Sequence, residues 1–249
     1  MRCLVLSDVH GNLEALEQVL QVAGAFDRTL VLGDLVGYGA DPNAVTERVR
    51  CLPNLVAIRG NHDKVAVGLS PAEGFNPLAR QAVEWTAAAL TPENRAWLAA
   101  LPSGPLCVEG PGADDLVEIC HGAPFDEDFY VFDELDATRA IDAQRRPLCL
   151  FGHTHVPTVF ALNGHVVALS PKRTERFAIR IEPGTRYLVN CGAVGQPRDA
   201  DPRAAYGMLD LATRIVEIRR TAYDVPTAQA KIVAAGLPRS LAQRLAVGR

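Results

Sequence analysis

The stretch LVLSDVHGN, residues 4–12, decides the fold. It opens with apolar residues that predict a buried strand over residues 3–6. It ends at Asn12, which is suited to cap a helix and stands in front of leucines at helical spacing. Asp8 and His10 stand between strand and helix. In open α/β sheets ligands bind beyond the carboxyl ends of strands, so this loop is a candidate site.

Four other apolar runs end in the same kinds of side chain. They are LVLGD (30–34) with Asp34, LVAIRGNHD (55–63) with Asn61, His62 and Asp63, LVEICHG (116–122) with His121, and LCLFGHTH (148–155) with His153 and His155. Each run has the pattern of a strand, and the polar groups follow directly after it. Five such strand ends can converge on one cleft.

The histidines concentrate in these five loops. Only His165 of the six lies elsewhere, beside a predicted hairpin turn, and we expect it on the surface. Histidine is the commonest metal ligand, and a mixture of Asp, Asn and His suits divalent ions such as Mn, Fe or Zn. Seven such groups are too many for one tetrahedral zinc, but they suit two metals about 3.5–4 Å apart that share a carboxylate. An extended backbone would direct both side chains of Asp8-x-His10, and both of His153-x-His155, the same way.

Each motif also has an ordinary structural explanation. A single Asp-x-His at a strand end is typical of a cap or turn, Gly-Asp is typical of a turn, and a single histidine is typical of a hydrogen-bonded loop or core residue. The occurrence of all five motifs together, in this order and at strand ends, favours a metal centre.

The order of elements predicts two packed sheets. Strand and helix patterns alternate as far as residue 101, and the rest is mostly strand, which favours an α/β chain with helices outside two sheets. Asn163-Gly164 is a strong hairpin signal. We find no repeat or linker and predict one domain over residues 1–249. The predicted strands cover residues 3–6, 29–32, 55–58, 106–109, 116–120, 148–151, 156–162, 166–169, 177–181, 187–190, 204–209 and 215–219. Two predicted helices start after Asn12 and at Pro42. Five further helices are predicted over residues 78–90, 93–101, 133–142, 226–235 and 239–247.

The composition indicates a normal buried core. Of the 249 residues, 48% are hydrophobic and 22% are charged, and the net charge of −4 lacks the electrostatic footprint of a general nucleic-acid binder. The six cysteines form no CxxC pair, and we expect them to be reduced. We expect neither a signal peptide nor a membrane span, and hence a cytoplasmic protein.

The five motifs resemble those of the calcineurin-like metallophosphoesterase superfamily, whose pattern is D-x-H, G-D, G-N-H-D/E, H and G-H-x-H. Every position is filled between residues 7 and 155. The stretches GDLVGYGADPN (33–43) and NCGAVGQPRDADPRAAY (190–206) look like the small prokaryotic branch often grouped with YfcE-like phosphodiesterases. The resemblance implies a four-layer αββα sandwich of two mixed sheets flanked by helices.

The resemblance also implies a role for each site residue. One divalent metal would be held by Asp8, His10 and His155, the other by Asn61, His121 and His153, and Asp34 would bridge them. A water or hydroxide between the metals would attack phosphorus in line, and His62 would assist the leaving group. Asp63 would either orient His62 or tie down its loop. Among Mn, Fe, Zn and Ni, we favour Mn.

The sequence departs from the Ser/Thr protein phosphatases, which carry an arginine in a GDxVxRG motif, usually with an aspartate directly before that arginine. Gly37 and Tyr38 stand at the places of the Asp and Arg there, so the arginine clamp and the carboxylate partner of His62 are missing. Tyr38, Arg59 and Arg198 are candidates for substrate contact. The structural alternative is packing for Tyr38, a surface ion pair for Arg59 and bracing of its own loop for Arg198. The basic segment 170–184 is expected as an exposed lip over the site or as a solvated strand face.

The leading hypothesis is a dimetal phosphoesterase that acts on phosphodiesters or on small phosphorylated or nucleotide substrates, with neither membrane nor nucleic acid as partner. A phosphomonoesterase, a protein phosphatase and a nucleotide pyrophosphatase are alternatives on the same site. A non-catalytic scaffold of this fold is disfavoured because all seven ligands and His62 are present. We expect specificity to come from the loops at residues 38–43, 126–132 and 170–184. The sequence leaves the oligomeric state open.

Overall fold

The computed structural model describes residues 1–171 and 173–249, so Lys172 of the basic segment 170–184 lies outside the described residues. Within these ranges the chain forms twelve strands and eight helices. The strands are β1 (Arg2–Leu6), β2 (Arg28–Val31), β3 (Leu55–Ala57), β4 (Leu106–Cys107), β5 (Val117–Ile119), β6 (Leu148–Phe151), β7 (Thr158–Asn163), β8 (His165–Leu169), β9 (Arg176–Arg180), β10 (Arg186–Asn190), β11 (Ala204–Asp210) and β12 (Ile215–Thr221). The helices are α1 (Leu13–Val22), α2 (Pro42–Arg50), α3 (Asn61–Ala66), α4 (Pro77–Ala89), α5 (Pro92–Ala99), α6 (Glu134–Ala143), α7 (Val225–Ala234) and α8 (Arg239–Leu245).

The first sheet is mixed and contains the amino-terminal strands. Its order is β3-β2-β1-β11-β12-β9, in which β1, β2 and β3 run parallel and the other pairs are antiparallel. Helices α1 and α2 connect the parallel strands, as parallel pairing requires a crossover. Successive residues of β1 face opposite sides, so that Cys3 and Val5 lie between the sheets while Leu4 and Leu6 pack under the helices.

The second sheet is also mixed. Its order is β4-β5-β6-β10-β7-β8, with β5, β6 and β10 parallel and the remaining pairs antiparallel. The hairpin predicted at Asn163-Gly164 is confirmed, because Asn163 pairs with His165 and Gly164 has a φ of 80°. His165 is exposed, as expected.

Buried apolar clusters fill the spaces between four layers. One cluster lies between the sheets and includes Leu30 and Leu150. A second lies under the helices that cover the first sheet and includes Leu16 of α1. A third lies between the second sheet and α6 and includes Ile141. The predicted αββα sandwich of two mixed sheets is confirmed, and all six cysteines carry free thiols.

The carboxyl-terminal helices cover the edge of the first helical layer. Residues Ile232 and Leu241 form a buried cluster with Ala82 of α4 and with Tyr38. An ion pair from Lys231 to Glu14 ties α7 to α1. These helices therefore pack against Tyr38, which lies in the loop that follows β2.

Two local features differ from the sequence-based expectation. Helix α3 was not expected, because the six residues NHDKVA show no apolar stripe; it begins where Asp63 Oδ2 accepts the N–H of Gly60 at 3.0 Å. The segment 170–184 does not form a lip hairpin in its described part, since β8 and β9 belong to different sheets. Strand β9 is an edge strand with alternate residues exposed, which fits the solvated-face alternative. Along the described ranges, we find no helix with the length and apolar character that crossing a membrane demands.

Candidate metal centre

Five strand ends bring the candidate ligands together. Strands β1, β2 and β3 are parallel neighbours in the first sheet, and β5 and β6 are parallel neighbours in the second. The loops after them place buried ligand atoms within 4.8 Å of one another in two groups, which are Asp8, His10, Asp34 and His155, and Asp34, His121 and His153. Asn61 joins the second group, because its Oδ1 lies 3.2 Å from His121 Nε2. All seven predicted ligands therefore meet in one place.

The ligand loops are not extended, so the expectation for the D-x-H and H-x-H pairs was wrong. The residues with left-handed backbone are Asp8 (φ 53°), His10 (50°), Asp34 (54°), His153 (67°) and His155 (61°). This region is uncommon for residues other than glycine, and Asp, Asn and His enter it most readily. Backbone strain that the surrounding structure holds in place is typical of functional sites. Tight turns, rather than strand alternation, aim these side chains.

A backbone carbonyl anchors one ring nitrogen of each ligand-type histidine. The contacts are His10 Nδ1 with Val36 O (3.0 Å), His121 Nδ1 with Leu32 O (2.8 Å), His155 Nδ1 with Gln196 O (2.6 Å) and His153 Nε2 with Asp128 O (3.1 Å). A carbonyl only accepts, so the anchored nitrogen carries a proton, and in a neutral ring the opposite nitrogen presents a lone pair. Three rings therefore direct Nε2 inwards, whereas His153 directs Nδ1, which lies 3.1 Å from His121 Nε2.

Asp34 lies where the two groups meet. Its Oδ2 is 3.6 Å from His10 Nε2 and 3.4 Å from His121 Nε2. Among the described residues this buried oxygen has no hydrogen-bond partner, a costly state for an ionised group. Burial opposes ionisation of Asp34, but the neighbouring histidines, His121 foremost, hold its pKa well below its usual range. This anionic oxygen lies between ring nitrogens of both groups, which fits a shared cation.

The whole donor set fits two divalent cations. Two carboxylates, one amide oxygen and four imidazoles suit borderline metals better than a purely hard or purely soft site would. Burial lowers the pKa of His10 well below its usual value and that of His153 to about 3, which keeps both rings neutral, as a metal ligand must be. His121 differs: burial would lower its pKa, but the Asp34 and Asp8 carboxylates raise it to about 10. A cation bound here would supply the positive charge that the His121 proton supplies in the metal-free protein.

Asp8 is held by neighbours on both sides. Ser7 Oγ donates to Asp8 Oδ2 at 2.6 Å, and the backbone N–H of His153 donates to the same oxygen at 3.2 Å. Asp8 Oδ1 lies 3.2 Å from His155 Nε2. Sequence reasoning missed the role of Ser7, because a serine at a strand end has no distinctive spacing.

His62 stands beside both groups. Its ring centroid lies 4.8 Å from that of His10, 4.5 Å from that of Tyr38 and 4.6 Å from that of Phe75. Its buried Nδ1 meets no hydrogen-bond partner in the described part of the chain. Burial lowers the pKa of His62 to about 4, so the ring is neutral near pH 7. Gly37 makes room for it, because a Cβ there would come within 2.5 Å of Nδ1.

The contacts of Asp63 fit the loop-tying role. Its Oδ1 accepts the N–H of Val36 at 3.1 Å, and its Oδ2 accepts the N–H of Gly60 at 3.0 Å. Burial and the nearby Asp34 carboxylate raise the pKa of Asp63 to about 7, although both N–H groups act in the opposite direction. Asp63 therefore joins the loop after β2 to the start of α3.

Tyr38 and Arg198 lie together at the edge of the centre. Arg198 Nη2 donates to Tyr38 Oη at 3.3 Å, and its guanidinium carbon lies 5.7 Å from the tyrosine ring centroid. Arg244 of α8, which the sequence did not single out, lies 5.9 Å from the same centroid. Arg198 bonds Gln196 Oε1 and Arg244 bonds the carbonyl of Arg249, and neither pairs with a carboxylate of a described residue.

Arg59 makes an ion pair instead. Its Nε and Nη2 lie 3.3 and 3.2 Å from the carboxylate oxygens of Glu127. Lys64 Nζ joins the same carboxylate at 3.1 Å and reaches Asp128 at 2.5 Å. Of its two expected roles, these contacts fit the surface ion pair better than phosphate binding.

A cavity of about 340 Å³ opens beside the second ligand group. Asn61 and His153 line it, together with Lys64, Phe75 and Tyr130. Tyr130 stacks on His153 with ring centroids 3.8 Å apart. The sequence pointed to the loop 126–132 but not to Tyr130, because an aromatic residue in a loop has no spacing signal.

Comparisons with known proteins agree with this geometry. The family description that matches residues 1–214 is the calcineurin-like phosphoesterase superfamily domain. The uncharacterized protein MJ0912 of Methanocaldococcus jannaschii is 34% identical over 247 residues, which cover 98% of this chain and 97% of that protein. The crystal structure of a metallophosphoesterase from Sphaerobacter thermophilus is 38% identical with a TM-score of 0.87, and the match covers 100% of this chain and 99% of that one.

A more distant structure shares the fold. The hypothetical protein PH1004 from Pyrococcus horikoshii OT3 is 19% identical with a TM-score of 0.79, and the match covers 100% of this chain and 98% of that one. The match over residues 1–214 and the relative that is 34% identical confirm the family that the five motifs resemble. The chain belongs to the calcineurin-like phosphoesterase superfamily.

Proposed function

We propose that the protein is a phosphodiesterase that requires two divalent metal ions, with Mn favoured over Fe, Zn or Ni. The observation that carries this proposal is the unpartnered Oδ2 of Asp34 between two histidine-rich ligand groups. Phosphoester hydrolases use pairs of metals about 3.5–4 Å apart, and a shared carboxylate supports that arrangement. Membership of the superfamily supports the same class of reaction.

The proposed ligand sets follow the two groups. Asp8, His10 and His155 would hold one ion, Asn61, His121 and His153 the other, and Asp34 both. When bound, the ions supply a nucleophile from water and neutralise charge on the phosphoryl oxygens. The carbonyl anchors keep the four imidazoles oriented, so that the ligands need little rearrangement.

His62 acts on the leaving group. Because its ring is neutral near pH 7, it serves as a hydrogen-bond donor to the departing oxygen. Loss of one hydrogen-bond donor to an oxygen that gains charge in the transition state typically costs about 10²–10³-fold in rate. Arg198 binds a non-bridging oxygen of the phosphoryl group, and Tyr38 positions that arginine while it packs on His62. Arg59 braces the loop that carries Glu127.

A phosphomonoesterase is the second candidate on the same site. Arg198 and Arg244 both lie against Tyr38 without a carboxylate partner among the described residues. Two uncompensated guanidinium groups favour a substrate with more negative charge than a diester carries. The partner we propose is a small phosphoester. The single domain over residues 1–249, the cytoplasmic location and the lack of a nucleic-acid partner stay predictions.

The test compares two chromogenic esters. The purified protein is stripped with chelator and reloaded with Mn²⁺, and hydrolysis of bis-p-nitrophenyl phosphate is compared with that of p-nitrophenyl phosphate. We expect metal-dependent turnover of the diester, with a loss of about 10²-fold or more in His62→Ala. His165→Ala is the matched control, because His165 is exposed on β8 and should leave turnover unchanged.

Each other outcome has a definite meaning. Preference for the monoester would replace the first proposal with the second. Turnover of neither ester with two metals bound would point to a narrow natural substrate. The enzyme proposal would be abandoned in favour of the scaffold if the protein neither turned over an ester nor bound metal.

A further inference from the structure

The four ligand-type histidines are not anchored alike. Three of them donate to the carbonyls of fully buried residues, which are Leu32, Val36 and Gln196. His153 donates instead from Nε2 to the carbonyl of Asp128, whose side chain is 50% exposed. The orientation that turns Nδ1 of His153 towards His121 therefore depends on a surface loop, residues 126–130.

The same loop packs closely beside His121. A Cβ at Gly122, the next residue, would come within 2.6 Å of the carbonyl oxygen of Phe129 and within 2.7 Å of that of Glu127. Only glycine allows the backbone of the loop to approach this closely. The loop 126–130 thus lies beside a second histidine of the same ligand group.

Glu127 ties this loop to α3, the helix that begins at Asn61. Its carboxylate accepts Lys64 Nζ of α3 at 3.1 Å, and it accepts Nε and Nη2 of Arg59 at 3.3 and 3.2 Å. The side chain of Glu127 is only 17% exposed, so solvent screens these charge pairs less than it screens exposed pairs. Asn61 follows a strand of the first sheet and His153 a strand of the second. Glu127 therefore joins the two halves of the second ligand group.

We infer that Glu127 is a positioning residue for one of the two metals, because it holds the loop whose carbonyl fixes His153 with Nδ1 towards the second ligand group. This inference rests on the proposed function and names a residue that controls one of its two ions. His10 and His155 of the first group are anchored by other loops. Outer contacts fix the tautomer and the orientation of a ligating histidine, and their loss typically costs about 10–100-fold in metal affinity. Removal of Glu127 should weaken one ion and spare the other.

Metal titration tests the inference without turnover. Metal-free protein is titrated with Mn²⁺ in a calorimeter, and the affinity of each ion is measured. Glu127→Ala should lower the affinity for one ion by about 10–100-fold and leave the affinity for the other unchanged. Glu127→Gln keeps an oxygen that can accept from Lys64 or Arg59, so its loss should be smaller. This second variant decides the question if Glu127→Ala does not fold.

Nuclear magnetic resonance of ¹⁵N-histidine-labelled protein observes the positioning itself. Without metal, wild type should show His153 protonated at Nε2, whereas His10 and His155 are protonated at Nδ1. Glu127→Ala should show both tautomers of His153 and leave the other two rings as they are. With one equivalent of diamagnetic Zn²⁺, the signals of His10 and His155 in this variant should shift before that of His153. A merely structural role of Glu127 would not change the tautomer of one ring.

Glu134→Ala is the matched control. Glu134 is exposed at the start of α6, so this variant removes the same charge from the same acidic stretch of sequence. Both affinities and the His153 tautomer should stay as in wild type, and circular dichroism verifies that each variant folds. The inference would be overturned by an equal loss for both ions in Glu127→Ala, or by a similar loss in Glu134→Ala. Unchanged affinities together with an unchanged tautomer would overturn it as well.

The two proposals fail in different ways, because the tautomer of His153 is observed in the metal-free protein. Two ions bound with unaltered affinity in Glu127→Ala, and a single His153 tautomer, would remove the inference and keep the proposed function. A protein that bound no metal but lost the single tautomer in Glu127→Ala would remove the proposed function and keep Glu127 as the residue that positions His153.

Discussion

A Cβ atom at Gly37 would stand 2.5 Å from His62 Nδ1 and 3.0 Å from its Cγ. Gly37 also has a φ of 90°, which side chains rarely adopt. The position of the proposed leaving-group residue thus depends on a glycine in the neighbouring loop, at the place where the protein phosphatases carry an aspartate.

Gly37→Ala should therefore displace the His62 ring. Since one such hydrogen-bond donor is worth about 10²–10³-fold, we expect kcat on the diester to fall by about 10²-fold or more. Both metals should still bind, because Gly37 contacts none of the seven ligands as closely as it contacts His62. Gly24→Ala is the control for backbone strain, as Gly24 has a φ of 79° and open space around it. Full activity in Gly37→Ala would show that His62 is not needed where we place it.

Ser7→Ala should weaken metal binding without abolishing it. The Ser7 hydroxyl donates to Asp8 Oδ2 at 2.6 Å and fixes that carboxylate. Loss of such an outer contact typically costs 10–100-fold in metal affinity, and we expect about tenfold here. Competition with a fluorescent chelator measures the affinity, and elemental analysis should still find two ions. The exposed Ser103→Ala provides the comparison, and equal affinities in the two variants would contradict the prediction.

Asp63→Ala should destabilise the fold. It leaves the N–H groups of Gly60 and Val36 buried without acceptors, at about 2–5 kcal/mol for the pair. Asp63→Asn keeps an acceptor oxygen and should cost less. Asp210→Ala also removes one carboxylate from two N–H groups, but these are exposed, so water replaces it. Urea denaturation of the metal-free protein measures the free energy of unfolding of the three variants. If Asp63→Ala were as stable as Asp210→Ala, Asp63 would not join the loop after β2 to the start of α3.

The free energy of unfolding of Glu118→Gln, relative to that of wild type, should increase as the pH rises. Burial raises the pKa of Glu118 above its usual value of 4.5, and its Oε2 has no partner in the described residues. Above pH 4.5 the unfolded carboxyl ionises more readily than the folded one, so wild-type stability falls with rising pH and the amide avoids this loss. Its oxygen can still accept the N–H of Arg145.

The measurement is the free energy of unfolding of Glu118→Gln minus that of wild type, from pH 4 to pH 8. The difference should grow in favour of the variant across this range. Glu84→Gln, on the exposed side of α4, should show no such trend. A flat difference for Glu118→Gln would mean that the buried carboxyl titrates as it does in water.

Arg198→Gln and Arg244→Gln should distinguish monoester from diester chemistry. A charge-assisted hydrogen bond is worth about 1.5–3 kcal/mol, so loss of either guanidinium should lower kcat/KM for p-nitrophenyl phosphate by at least about tenfold. The singly charged diester should lose less. Arg48→Gln removes an exposed arginine paired with Glu17 and should change neither value. Equal losses on both esters would argue against a role in reading substrate charge.

The architecture could be predicted because its signals are local. Apolar runs marked nearly every strand, and the pairs Asn76-Pro77 and Thr91-Pro92 marked the starts of α4 and α5. Helix α3 escaped because one turn and a half, capped by Asp63, needs no apolar stripe. For the segment 170–184 the sequence predicted the strand but left a lip and a solvated strand face as alternatives, because sheet membership depends on distant partners.

The candidate site likewise has one part that the sequence predicts and another that only the structure shows. The ligand-type residues could be predicted because five motifs with histidine, aspartate or asparagine occur together at strand ends. Their backbone was not, since a left-handed φ at His10 or Asp34 follows from contacts with other loops. Arg244 lies far from every motif and Tyr130 lies in a loop without a motif of its own, and only the three-dimensional arrangement brings them to Tyr38 and His153.

The left-handed backbone at five candidate ligands limits which residues can replace these ligands. A bulky or β-branched residue at Asp8 or His153 would lose a ligand and would also add about 1–2 kcal/mol of backbone strain. Several such changes would consume much of the 5–15 kcal/mol that typically stabilises a domain. Besides the aspartate and histidine found there, asparagine and glycine enter these turns at little conformational cost. Selection for folding alone therefore protects the chemistry of this centre, and drift towards an inert relative is expected to pass through asparagine or glycine first.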